Sequence, residues 1–236
     1  DLSDEEKIEI LLNIGSEVDP AITENELFRD TLESVRTIKT IQQRNGEPGC
    51  HRYIISHSTS ALDVISVYGL FLMGGWQPDK LSVDIVPLFE SIEDLRNAAQ
   101  VMRSLYENKR YREHLQRRGD AQTIMVGFSD GTKDGGYLMA NWSIYKAKEA
   151  LTRVSQEYGI QVTFFDGRGG PPARGGGRTH QFYASLGSNI ANKEIQLTIQ
   201  GQTVSSNFGT IDSAQYNIEQ LVHAGVHNAL FSSGKP

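Results

Sequence analysis

Two carboxylates, one lysine and two arginines have the residue types and spacing to work on a phosphorylated anion. Glu90 stands just past the run Leu81-Ser82-Val83-Asp84-Ile85-Val86-Pro87. Asp130 follows Thr123-Ile124-Met125-Val126-Gly127-Phe128, and Lys133 comes three residues later. Arg168 and Arg174 lie in the fourteen residues from Phe165 to Arg178, which hold six glycines and three arginines. Two carboxylates at the ends of successive strands can hold Mg²⁺ or Mn²⁺, with water and a substrate phosphate in the remaining positions. A glycine-rich loop lets backbone N–H groups come close to an anion. Arginine adds planar forks that match phosphate or carboxylate. Each feature also has a plainer reading. The loop alone is equally a flexible surface segment, or an RGG-like nucleic-acid segment. Glu90 or Asp130 taken singly is a carboxylate favoured at a helix N-terminus, and Lys133 a solvated loop lysine. Taken jointly beside the arginine–glycine loop, the carboxylates favour a metal.

The elements that must position these residues alternate in type. Residues 5–14 and 25–43 carry apolar side chains at helical spacing, with Asp19-Pro20 as the breaker between them. From His51 onward the pattern changes. Tyr53-Ile54-Ile55 is a short buried strand, and a helix capped within residues 56–60 runs through Phe71 to Gly74-Gly75. The run 81–87 is the second strand. Ser91 with Asp94 is a capping box for a helix through Leu105. The run 123–128 is the third strand, and residues 129–136 form a loop. A long helix runs from there to about Tyr158, with Trp142, Tyr145, Ala150, Leu151 and Val154 as its core stripe. Residues 160–165 form the fourth strand, 194–199 a fifth, and 212–228 a closing helix. Repeated strand–loop–helix order predicts an α/β fold with a parallel sheet. His57, Glu90, Asp130, Lys133, Arg168 and Arg174 gather just after the strands. That is the catalytic face of a parallel barrel, or the crevice of an open doubly wound sheet. Residues 1–50 are read as N-terminal helices leading into a partial barrel over 51–236.

Bulk properties narrow the class. A chain of 236 residues with 38% apolar and 22% charged residues can bury a sizeable core. Its formal net charge of −6 argues against a general nucleic-acid binder. No apolar run is long enough to span a membrane, and no signal peptide opens the chain. The single cysteine, Cys50, sits in a turn with no visible base and suits a reducing, cytoplasmic compartment. His180 reads as structural; His57, His223 and His227 stand at no recognisable ligand spacing.

The motifs, taken in order, resemble those of phosphoenolpyruvate carboxylases. The run from Gly127 to Gly136, GFSDGTKDGG, is similar to that family's GYSDSxKDAG signature. The pair Gly167-Arg168-Gly169-Gly170 and Arg174-Gly175-Gly176 resembles its GRGGxxxRGG loop, and the run from Pro87 to Leu95 its PLFETLxDL segment. Tyr53-Ile54-Ile55-Ser56 with Asp63-Val64 resembles its YxIS…DVL stretch. The resemblance covers the chain from about Tyr53 to its end. It implies part of a (β/α)8-type barrel with extra helices, in a cytoplasmic enzyme that is a homo-oligomer at full length. It also implies carboxylation of phosphoenolpyruvate by bicarbonate, through carboxyphosphate and the enolate of pyruvate, to oxaloacetate and phosphate. Carried over by motif, Glu90 and Asp130 are the ligands of Mg²⁺ or Mn²⁺. Lys133, Arg168 and Arg174, with Gly169 and Gly170, bind substrate, and Arg168, Arg174 and Lys133 assist catalysis. No nucleic acid or membrane partner is implied. Asp166 departs from the pattern, standing where many members have histidine, and Pro171-Pro172-Ala173 is a stiff filler between the loop's halves. Family members are several times longer, with a catalytic histidine well upstream of these motifs. The 236 residues are therefore expected to have little or no activity alone, and to expose apolar surface that promotes self-association. Two other readings remain: another metal-dependent barrel acting on phosphoenolpyruvate or pyruvate, and an RGG-type RNA-binding module.

Overall fold

A computed structural model of the chain describes residues 2–169 and 177–231. Five parallel strands run β1 (Arg52–Ile55), β2 (Asp84–Phe89), β3 (Ala121–Gly127), β4 (Gln161–Gly169) and β5 (Ile195–Ile199). Their order across the sheet is their order along the chain. A doubly wound sheet would reverse that order at a switch point. Steady advance in one direction is the order of a (β/α) barrel, and the five strands curl into half of one.

The connections are helical: α3 (Ala61–Met73) after β1, α4 (Ile92–Glu107) and α5 (Lys109–Arg117) after β2, and α6 (Ser129–Glu157) after β3. α7 (Thr179–Ala184) follows β4, and α8 (Gly201–Phe208) and α9 (Ile211–Phe231) follow β5. α4 packs on both α3 and α6, so these helices form one outer layer. Between layer and sheet lies a dry core that includes Phe71, Ile85, Phe89, Val126, Ile144 and Leu151. The first helices, α1 (Asp4–Leu12) and α2 (Glu26–Asn45), dock on α3. They contribute Leu12, Leu32 and Val35 to the same core, and the Trp76 indole donates to the Val35 carbonyl at 3.0 Å.

Local chemistry sets the starts of the helices. Ser60 with Asp63, and Ser91 with Asp94, form the reciprocal capping boxes of α3 and α4. The second box fixes Glu90 between the last residue of β2 and the cap of α4.

Several boundaries differ from the sequence reading. β2 starts at Asp84, because Leu81 and Val83 are core residues of the approach to the strand. Ile54 of β1 is 40% exposed, so that strand is not fully buried. Residues 129–136 are not a simple loop; they are helical and join the long helix across a break at Gly136, whose φ of +79° suits glycine. Trp142 is exposed and Tyr145 and Ala150 are only partly covered; the buried stripe of α6 runs through Ala140, Ile144, Ala147, Leu151 and Val154. The helical period allows both stripes, and the neighbouring layer chooses between them. β4 pairs with β3 as far as Gly167 and reaches Gly169 by pairing with β5 across a register shift, so the first part of the glycine–arginine stretch is strand. The helices α5, α7 and α8 are additional.

Candidate active site

The register aligns the tops of three strands. Phe89 pairs with Val126, Val126 with Asp166, and Gly127 with Gly167. Glu90 therefore emerges beside Gly127, with Gly167 next along the row. Side chains would not fit at either glycine without a shift. A Cβ on Gly127 would stand 3.0 Å from Glu90 Cγ, and one on Gly167 would stand 3.1 Å from the Val126 carbonyl oxygen. The two glycines keep the rim open beside the Glu90 carboxyl.

Asp130 and Lys133 enter this rim on the first turn of α6. A Cβ on Gly131 would lie 3.5 Å from the Glu90 carbonyl oxygen, which places that turn against Glu90. Burial pushes the Glu90 carboxyl above its ordinary value, and the charges of Asp130 and then Asp94 push the same way. His57, held at φ +55° in the loop after β1, works in the opposite direction. No spacing in the chain ties His57 to a partner; the curl of the sheet brings it beside Glu90. Lys133 Nζ donates to Asp130 Oδ1 at 2.7 Å, with both side chains at least half exposed. A half-buried carboxyl that resists ionisation next to a second carboxylate fits a cation, which would relieve both effects. No group of three or more His, Cys, Asp or Glu that could hold a metal occurs among the described residues. A metal here would rest on two carboxylates, water and substrate oxygens, which suits an octahedral hard cation.

Arg168 differs from its expected setting. It is a strand residue, 5% exposed, on the face of β4 that meets α6 and α7. Its guanidinium carbon lies 4.2 Å from the Phe182 ring centroid and 5.0 Å from that of Phe128, and Nη1 donates to Asn141 Oδ1 at 3.1 Å. Alternation along the strand puts Arg168 on the same side as Asp166 and Phe164, facing the helices. This is not the solvated arm of an RGG segment. Gly169 ends β4. Gly170 and Arg174 lie outside the described residues. The chain is described again at Gly177, where a Cβ would be 3.7 Å from Arg168 Nη2. His180 lines a cavity of about 420 Å³ beside the end of β5, together with Arg178, Thr203, Asn207 and Asn217.

Behind Arg168 is a cluster that sequence reasoning did not assemble. Lys148 and Asp166, each 1% exposed, are ion-paired at 2.6 Å to Oδ1, and Nζ also donates to Oδ2 at 2.8 Å. The Tyr183 hydroxyl donates to the same Oδ2 at 2.7 Å. One signal for this was in the sequence: Lys148 falls among Ile144, Ala147 and Leu151 on the buried side of α6. A lysine at such a position needs a buried partner. Asn141, Phe128, Phe182 and Tyr183 carried no sequence signal.

A parallel half-barrel with two carboxylates at its C-terminal rim is the architecture of an α/β-barrel protein, whose active sites lie on that face. The sequence matches the family model of phosphoenolpyruvate carboxylase over residues 1–236. The chain belongs to the phosphoenolpyruvate carboxylase family, and the enzyme is a carboxy-lyase. The match extends the likeness beyond Tyr53 to include α1 and α2. Membership implies phosphoenolpyruvate and bicarbonate as substrates, in a family that generally uses a divalent metal. No helix among the described residues is long and apolar enough to cross a membrane.

Proposed function

We propose that this chain supplies the metal and phosphate walls of the site that makes oxaloacetate and phosphate from phosphoenolpyruvate and bicarbonate. The observation that carries the reading is the strand-top row of Glu90, Gly127 and Gly167, with Asp130 alongside. In this reading Glu90 and Asp130 hold Mg²⁺ or Mn²⁺. The bound cation supplies positive charge against the enolate and phosphoryl oxygens. Arg168 and Arg174, with the backbone of Gly169 and Gly170, hold the phosphate and offset charge as the phosphoryl group moves to bicarbonate. Arg168 suits this because its stacked, hydrogen-bonded guanidinium needs little reorganisation as charge develops. Lys133 can swing from Asp130 to the bound anions, since its present pair is exposed and held weakly. The same reading makes the intact enzyme a cytoplasmic homo-oligomer.

Mn²⁺ binding followed by electron paramagnetic resonance, and oxaloacetate formation in a coupled malate dehydrogenase assay, test the site together. Glu90→Gln and Asp130→Asn in the intact enzyme are each expected to weaken Mn²⁺ binding at least about tenfold and to abolish most turnover. Unchanged Mn²⁺ affinity in both variants would overturn the assignment. In the same assay the 236 residues alone are expected to form little or no oxaloacetate, because the described sheet leaves the site open beyond β1 and β5.

A further inference from the structure

Asp166 joins three elements: it sits on β4, takes Lys148 from α6 and takes the Tyr183 hydroxyl from α7. We infer that it is a positioning residue for Arg168, with Lys148 and Tyr183 as the parts that hold it. This rests on the reading of Arg168 as a phosphate ligand.

The geometry supports action through Arg168 rather than on substrate. Asp166 is almost wholly buried, and both its oxygens are already taken, Oδ1 by Lys148 and Oδ2 by Lys148 and the Tyr183 hydroxyl. Arg168 follows two residues later on the same strand face, and it meets the same aromatic ring as Lys148, the partner of Asp166. Lys148 Nζ lies 5.1 Å from the Phe182 ring centroid, whose ring also stacks on Arg168. Two cations thus share Phe182 in a dry pocket, with one carboxylate, on the strand that carries Arg168, paired to the other. Burial lowers the Lys148 pKa, Asp166 opposes that, and the Arg168 charge adds to the lowering. Lys148 and Arg168 therefore repel, and Asp166 is the counter-charge that holds Lys148 in place beside the arginine. Two cations against one carboxylate leave a net positive charge beside the strand end, the sign that draws a phosphate.

A merely structural role predicts that any change restoring stability restores function. Positioning predicts otherwise. Lys148→Met combined with Asp166→Asn removes both charges of the pair and strands neither partner. The new amide oxygen can still accept from the Tyr183 hydroxyl. In the intact enzyme this double variant is expected to melt within a few degrees of the parent. Its KM for phosphoenolpyruvate is expected to rise about tenfold, with a smaller change in kcat. Arg168→Lys should raise KM similarly, and adding it to the double variant should raise KM no further, because both changes remove the same contact. A normal KM in the stable double variant, with Arg168→Lys impaired, overturns the positioning role and leaves Arg168 as phosphate ligand. Additive effects in the triple variant also overturn it. A normal KM in Arg168→Lys removes both readings.

Discussion

The rim and the buried cluster use the same residue types under opposite conditions. At the rim, Lys133 and Asp130 pair three residues apart on one helical turn, with side chains 69% and 50% exposed. Behind it, Lys148 and Asp166 pair across a helix and a strand, each 1% exposed. In water such a pair is screened and gives way easily, which suits groups that must exchange partners with substrate. In the dry layer, the pair is indispensable once built, because removing one partner strands the other charge. Lability is therefore placed where substrate comes and goes, and rigidity where an arginine must be held still.

The contrast between the two pairs can be broken at three sizes of effect. Lys148→Met alone leaves the Asp166 carboxylate without its cation. It should destabilise the chain by about 3–5 kcal/mol, read from urea unfolding midpoints. Asp166→His should do similar harm by leaving Lys148 unpaired. A loss below about 1 kcal/mol for both would show that water or movement relieves the buried charge, and the contrast with the rim would collapse.

The next effect concerns a buried imidazole. His114 on α5 packs edge-on against Tyr68 with centroids 5.6 Å apart. Burial holds its imidazole at about 4, below the ordinary 6.5; the Arg117 and Arg118 charges act in the same direction and Asp84 opposes them. The sign follows from which state takes the proton. Below pH 6.5 the unfolded chain protonates and the folded chain does not, so stability falls with acid until about pH 4. The loss is on the order of 3 kcal/mol. Unfolding free energies measured from about pH 7 down to about pH 4 should show this slope in the parent and lack it in His114→Phe. A variant with the parent's slope would assign the acid sensitivity elsewhere.

The smallest effect is at the rim. Lys133→Gln should change stability by less than about 0.5 kcal/mol, yet raise the KM for bicarbonate if Lys133 meets the bound anions. A large loss of stability would mean that the rim pair is structural after all. It would then differ from the buried pair only in degree.

Much of this arrangement could be read from the chain. The apolar runs, the Ser60–Asp63 and Ser91–Asp94 boxes and the strand–helix alternation are local patterns, and local patterns are what sequence displays. They placed Glu90 after β2 and Asp130 after β3, and the ordered motifs supplied the family. The extent of β4 was not readable, because a glycine-rich stretch disfavours a strand until a neighbouring strand, here β5, pairs with its end. Nor was the true stripe of α6, since exposed Trp142 fits the helical period as well as buried Ile144 does.

The sequence by itself determined the fold class, the family and the order of charged residues along the rim, because each depends on period, capping and spacing within short stretches. Only the tertiary structure decided which charges meet. Lys148 and Asp166 are 18 residues apart in sequence, Asp166 and Tyr183 are 17 apart, and Asn141 reaches Arg168 across 27. Contacts of that range follow from register and packing, and no local pattern encodes them. The same packing turned Arg168 from a loop arginine into a buried, stacked one, because β4 runs on to Gly169 and its alternation faces that side chain toward the helices.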